Sequence, residues 1–198
     1  MIVKICGITN PDDAKAAVTF GASALGFNFW PHSPRAIAPE EAARIVRTVP
    51  AVTWKIGVFV NETSERIGRI AAEAGLDIAQ LHGHCEPPGS LRVWRACSVT
   101  ESFSASQLED DSVEAYLLDA PAGERYGGSG ETFDWALVRN LQRRIVLAGG
   151  LDANNVAAAI AVAKPWAVDA CSRLESSPGR KDHARMAAFI RAALGSCS

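Results

Sequence analysis

Val3-Lys4-Ile5-Cys6-Gly7-Ile8-Thr9-Asn10-Pro11-Asp12-Asp13 reads as one complete junction from strand to helix. The apolar run that ends at Cys6 has the character of a buried strand. Asn10 is a good N-cap, Pro11 suits the first helical position, and Asp12 and Asp13 put acids in the first turn, where the helix dipole favours them. Cys6 therefore stands at the carboxyl end of a strand. In open and closed α/β sheets, that end is where ligands bind.

The same unit recurs along the chain. Strand-like runs fall at residues 3–6, 24–29, 55–59, 78–81, 93–96, 115–118, 145–147 and 167–169. Helical spacing of apolar residues lies between them: Ala42, Ile45, Val46 and Val49; Ile67, Ile70, Ala71 and Ala74; Val156, Ala159, Ile160 and Ala163; Met186, Phe189, Ile190, Ala193 and Leu194. Pro39-Glu40-Glu41 and Lys181-Asp182 read as helix starts. Residues 87–89 and 102–110 carry little pattern, which predicts short or distorted fourth and fifth helices. Eight βα units without a hairpin signal or a linker predict one (β/α)₈ TIM-barrel domain over residues 1–198, with short loops. The competing fold is a doubly wound sheet of fewer strands. The eighth unit, residues 167–193, favours the closed barrel, and no G-x-G-x-x-G follows the first strand.

Composition narrows the classes of function. The 198 residues are 48% hydrophobic, enough for a substantial core, and the formal net charge is −2 with Lys and Arg scattered. Neither a nucleic-acid partner nor a membrane surface is expected. No apolar run has the length of a spanning helix, and the N-terminus lacks a signal-peptide pattern. Five cysteines (Cys6, Cys85, Cys97, Cys171, Cys197) without paired spacing fit reduced thiols in the cytoplasm.

If the barrel closes, its strand ends share one mouth. Cys6 ends the first strand, Asp119 the sixth and Asp169 the eighth; Gly149-Gly150 follows the seventh, and Arg35 lies in the loop after the second. Each residue has a plainer reading. A single Cys is commonly core, acids after strands cap helices, and Arg35 could be a solvated loop residue. Asp119, however, is followed by Ala120-Pro121 and a long loop, with no helix to cap. A glycine pair before a helix bares backbone N–H groups for phosphate, and the loops after strands seven and eight are the usual location in barrels. His82-Gly83-His84-Cys85 lacks a second ligand cluster, so no metal is expected. Tyr126-Gly127-Gly128-Ser129-Gly130 has no Gly-Lys-Ser/Thr and is not a Walker A loop; it reads as a mobile loop over the mouth. The five tryptophans, Trp30, Trp54, Trp94, Trp135 and Trp166, read as core or rim fillers.

The ordered set of motifs resembles the phosphoribosylanthranilate isomerase family of tryptophan biosynthesis, nearly end to end. It comprises Lys4-Ile5-Cys6-Gly7-Ile8-Thr9, Phe29 through Ser33-Pro34-Arg35, Gly57-Val58-Phe59, Gln80-Leu81-His82-Gly83, Leu118-Asp119, Gly127-Gly128-Ser129-Gly130, Phe133-Asp134-Trp135, Leu147-Ala148-Gly149-Gly150-Leu151, Val168-Asp169, Pro178-Gly179 and Lys181-Asp182. The resemblance implies a (β/α)₈ barrel and an Amadori rearrangement of an aminoaldose phosphosugar without metal or organic cofactor. It implies Cys6 as general base and Asp119 as general acid. Arg35 would hold the anthranilate carboxylate and Asp169 would place the amine, while Gly149, Gly150, Ser172 and Arg173 would lie at the phosphate. Asp119 must then rise well above about 3.9, and Cys6 must become a thiolate from about 8.5. Lys4, two residues back on the same strand, points the same way as Cys6 and supplies positive potential. One departure concerns the loop after the eighth strand, where the family's Ser-Ser-Gly-Val-Glu is replaced by Cys171-Ser172-Arg173-Leu174-Glu175. Arg173 would resist the positive φ open to the usual glycine. The alternatives are a related histidine-pathway aminoaldose isomerase and a barrel that binds a phosphorylated ligand without turnover. Either a monomer or a homodimer fits the short loops.

Overall fold

The computed structural model describes residues 1–89, 91–121 and 132–196. Eight parallel strands close into a barrel in sequence order: β1 (Ile2–Ile5), β2 (Ala24–Asn28), β3 (Trp54–Val60), β4 (Ile78–His82), β5 (Arg92–Ser98), β6 (Ala115–Asp119), β7 (Ile145–Leu147) and β8 (Ala167–Ala170). The seam is β1 against β8, in the register Ile2↔Ala167 to Ile5↔Ala170. The (β/α)₈ expectation holds, and every expected strand lies within two residues of its observed bounds.

The helices follow their local signals. The Asn10 side chain accepts from the Asp13 backbone N–H at 2.9 Å and opens α1 (Pro11–Phe20), with Pro11 in the first turn. Pro39 opens α2 (Pro39–Val46), which stops short of Val49. The Thr63 hydroxyl caps α3 (Ser64–Ala74), and Asp182 caps α5 (His183–Gly195) by accepting from Ala184 and Arg185. The apolar α4 (Val156–Ala163) lies between. Among the described residues, no α-helix follows β4, β5 or β6. Short 3₁₀ turns at Ala105–Leu108 and Trp135–Val138 are found after β5 and β6. The missing pattern at residues 87–89 and 102–110 anticipated the first two gaps; the third is a correction. A two-stranded hairpin, β9 (Glu175–Ser177) and β10 (Arg180–Lys181), also went unforeseen.

Side chains alternate in and out along each strand, so the barrel interior can be followed from bottom to top. Ile2 gives way to Lys4 and then Cys6. Likewise Ile78 leads to Gln80 and His82, Ala115 to Leu117 and Asp119, and Ala167 to Asp169 and Cys171. The lower interior is apolar, formed by Ala24, Ile56, Ile78, Trp94, Ala115, Leu117, Val146, Ala148 and Ala167. Trp54, Trp94 and Trp166 close the bottom, with ring centroids 5.9–6.3 Å apart. Arg92 lies 4.4 Å over Trp54 and Arg144 5.1 Å over Trp166, and both arginines pair with Glu114. These three tryptophans are fillers of the end remote from the mouth. A second, larger apolar layer packs the outward strand faces against the helices.

Candidate active site

β1, β6 and β8 deliver the charged groups to the mouth. Lys4, fully buried, donates from Nζ to Asp169 Oδ2 at 2.7 Å across the seam. Burial alone would strip the Lys4 proton, but the Asp169 carboxylate and the Cys6 sulfur outweigh it and hold the ammonium charged. Burial pushes Asp169 up to about 7, against the pull of Lys4. Asp169 Oδ1 is buried and makes no hydrogen bond among the described residues.

Cys6 and Asp119 respond to this field in opposite directions. A hydrogen bond with the Cys171 thiol lowers Cys6 well below the ordinary thiol range. Burial opposes that shift, while Lys4 and Lys181 add to it. Burial raises Asp119 to about 6; its bond from the Ala120 N–H lowers it, and the Cys6 charge raises it again. One mouth thus holds a thiol inclined to lose its proton and a carboxyl inclined to keep one. Gly26 makes room for the first: a Cβ there would lie 2.7 Å from Cys6 Sγ and 3.1 Å from Lys4 Cε.

Arg35 reaches the mouth from the β2–α2 loop, its stem lying over Gly7, where a Cβ would meet Arg35 Cδ at 2.8 Å. Its Nε and Nη2 grip Glu175 at 2.7–3.1 Å. Lys181 Nζ joins the same carboxylate at 3.0 Å. Glu175 stays below the ordinary carboxylate range despite burial, because Arg35 and Lys181 bond to it. The sequence reading placed Glu175 and Lys181 only within motifs and gave neither a role in the site. What could have found them is the pair of opposite charges flanking the short Pro178-Gly179 turn.

Gly149 and Gly150 adopt φ of +87° and +56°, values open to glycine, immediately after β7. They line one cleft together with Asp119, Asp169, Cys171, Ser172 and Arg173. Every sequence-predicted site residue except Cys6 and Arg35 lies on that cleft wall, and those two adjoin it through Cys171 and Gly7. Arg173 sits in the 3₁₀ turn Ser172–Leu174 outside the left-handed region, so the chain does not ask of it the φ expected from the family's glycine. Its guanidinium pairs with Asp152 at 3.2 Å. A wider groove of about 590 Å³, lined by Asp152, Asn154, Arg173 and Arg185, lies beside the mouth and holds none of the other strand-end groups.

His82 is buried against Gln80 at 2.8 Å, and burial with nearby Lys4 lowers it to about 4, so it is neutral. Among the described residues, no three His, Cys, Asp or Glu side chains are grouped to hold a metal. No helix there is long and apolar enough to cross a membrane. The glycine-rich segment at 126–130 lies outside the described residues.

The closed barrel, with a thiol, carboxyls and a glycine pair at the carboxyl ends of its strands, has the architecture of a (β/α)₈ enzyme that acts on small molecules. Residues 3–192 match the sequence profile of N-(5'phosphoribosyl)anthranilate (PRA) isomerase, and the chain belongs to that family. It is 52% identical over 196 residues to the N-(5'-phosphoribosyl)anthranilate isomerase of Solibacter usitatus (strain Ellin6076), covering 98% of this chain and 97% of the relative. It superposes on the crystal structure of phosphoribosyl anthranilate isomerase from Thermotoga maritima with a TM-score of 0.90 at 43% identity, over 98% of this chain and 100% of that one. A phosphoribosyl anthranilate isomerase in complex with reduced 1-(o-carboxyphenylamino)-1-deoxyribulose 5-phosphate gives a TM-score of 0.87 at 40% identity, with the same coverage.

Proposed function

We propose that the protein converts N-(5'-phosphoribosyl)anthranilate to 1-(2-carboxyphenylamino)-1-deoxyribulose 5-phosphate in tryptophan biosynthesis, with Asp119 as general acid and Cys6 as general base. The observation that carries this assignment is the opposed shift of the two groups in one mouth: Asp119 raised to about 6, Cys6 lowered.

The reaction asks for that opposition. Opening the furanose needs a proton on the ring oxygen, and Asp119 is the carboxyl whose burial favours the protonated form. The open iminium then loses the proton from C2′, and a thiolate held by Lys4 and the Cys171 thiol is the base for it. The resulting enolamine tautomerises to the ketone. Asp169 Oδ1, buried without a partner, is an acceptor for the anthranilate N–H. Arg35 spends Nε and one Nη2 N–H on Glu175, so Nη1 and the second Nη2 N–H remain for the anthranilate carboxylate. The backbone N–H groups of Gly149, Gly150 and Ser172, with the Arg173 guanidinium, supply the phosphate end.

The test is the loss of anthranilate–ribose phosphate fluorescence on adding the purified protein, beside Cys6→Ser and Asp119→Asn. Turnover by the parent and collapse in both variants supports the reading. A folded parent without turnover overturns the reaction; an unimpaired Cys6→Ser overturns the base alone.

A further inference from the structure

The mouth holds a second thiol for which the isomerisation has no step. Cys6 follows β1 and Cys171 follows β8, and the register Ile5↔Ala170 runs on into them, with the Cys6 N–H donating to Ala170 O at 3.0 Å. The two cysteines are therefore neighbours across the barrel seam. Adjacent strands lie about 4.8 Å apart, inside the span of roughly 4.4–6.8 Å between α-carbons that a disulfide bridges. Alternation turns both side chains inward, as it turns Lys4 and Asp169 two residues earlier, and the two thiols shift each other's proton affinity in opposite directions. A Cβ on Gly7 would lie 2.9 Å from Cys171 Sγ, so the lack of a side chain at Gly7 gives that sulfur its seat.

The surroundings favour a reactive Cys6, while the neighbouring Cys6 sulfur and burial leave the proton on Cys171. Lys181 Nζ lies 3.7 Å from Cys171 Sγ and 3.3 Å from the Cys171 carbonyl; Lys4 and Arg35 also bear on the two sulfurs. The opposing charges are Glu175, with Oε1 3.8 Å from Cys171 Sγ, and the carboxyls of Asp169 and Asp119. Both sulfurs are at the open end of the barrel, Cys6 buried and Cys171 half-buried. Cys85 makes its contacts elsewhere, donating to the His82 carbonyl, and burial raises Cys97 away from reactivity.

We propose that Cys6 and Cys171 are a redox modification site: a hydroperoxide converts them to a reversible disulfide that removes the base and silences the enzyme. The Cys6 thiolate attacks one peroxide oxygen, the O–O bond breaks, and Cys6 becomes a sulfenic acid while hydroxide or alkoxide leaves and takes up a proton. Cys171 sulfur then attacks Cys6 sulfur. The S–O bond breaks, the S–S bond forms, and water leaves with the Cys171 proton. In sum, two thiols and one hydroperoxide give one disulfide, one alcohol or water, and one further water; the sulfurs lose two electrons and the peroxide gains them. A dithiol reverses the change. The loss of activity rests on Cys6 being the base; the cross-link does not.

The full chain is treated with a several-fold molar excess of hydrogen peroxide, enough for the second oxidation that a sulfinic acid needs, digested without reduction and weighed, while activity is followed by the fluorescence assay. The expected result is a Cys6–Cys171 linked peptide two hydrogens lighter than its parts, an activity loss above tenfold, and recovery with dithiothreitol. In Cys171→Ser, compared with its own untreated activity, the same loss becomes irreversible as Cys6 passes to the sulfinic acid. Sulfinic acid at Cys6 of the parent without a linked peptide overturns the proposal, as does a linked protein of undiminished activity. Untreated Cys6→Ser reports separately on the base, so the two readings fail independently.

Discussion

The two ends of the barrel are made from the same eight strands and are chemical opposites. At the bottom, buried Trp94 meets the half-buried Trp54 and Trp166 edge to face, those two tilt against each other, and arginines lie over both. At the top, Lys4, Asp169, Cys6, Asp119 and Cys171 crowd into a space where burial works against their charges. A strand of four or five residues can serve both ends because its inward positions change from apolar to ionisable within two alternations. The bottom makes the fold stable, and the top draws on that stability to hold groups in states that water would not allow.

Exchanging groups at the two ends should therefore have opposite consequences. The largest effect belongs to the top: Cys6→Ser lowers kcat by about 10²–10⁴-fold, the range of a general base, while the thermal midpoint stays within a degree or two of the parent. Steady-state rates beside calorimetry check it, and a fall in Tm with rate intact would erase the distinction. At the bottom, Trp94→Ala costs about 3–5 kcal/mol in denaturant unfolding, yet activity per folded molecule stays within a few-fold. A rate loss as large as that of Cys6→Ser would mean that the two ends are coupled.

Asp119→Asn sharpens the contrast, because it removes function and adds stability. Asp119 binds its proton more tightly folded, near pH 6, than unfolded, near about 3.9, so its contribution to folding is full below pH 4 and lost as the pH rises through 6. The neutral amide escapes that loss. The variant should unfold about 2–3 kcal/mol less readily than the parent at pH 8, with the difference gone at pH 4. For the parent, kcat/KM should fall as pH rises past about 6, where Asp119 gives up its proton, with no inflection near the ordinary thiol value of about 8.5. The smallest effect is Arg144→Gln, which trims a half-exposed arginine from Trp166 and Glu114 and should cost under about 1 kcal/mol by urea titration.

The sequence disclosed what is local and hid what depends on register. The strands were visible because short apolar runs bounded by turns have few other uses, and α1 because Asn10 and Pro11 act within their own turn. Cys6, Asp119 and Asp169 were recognisable as strand ends. The bond between Lys4 and Asp169 spans 165 positions, and that between Arg35 and Glu175 spans 140; neither follows from spacing until the seam register is known. Cys171 was seen only as part of an unusual loop. The 3₁₀ turn at Trp135–Val138 replaced an expected helix because its Asp134 cap starts a turn that the following residues do not extend.

The β1–β8 seam joins the first strand of the barrel to its eighth, and this gives the protein a temporal property. Lys4 is made 165 positions before its partner Asp169, and Cys6 is likewise far ahead of Cys171. No partly built ring holds a competent mouth, and the loop closed by that last pairing spans 165 positions, the slowest kind of contact to form. Return of catalysis during refolding is thus a clock for ring closure, and it should lag behind the burial of Trp94.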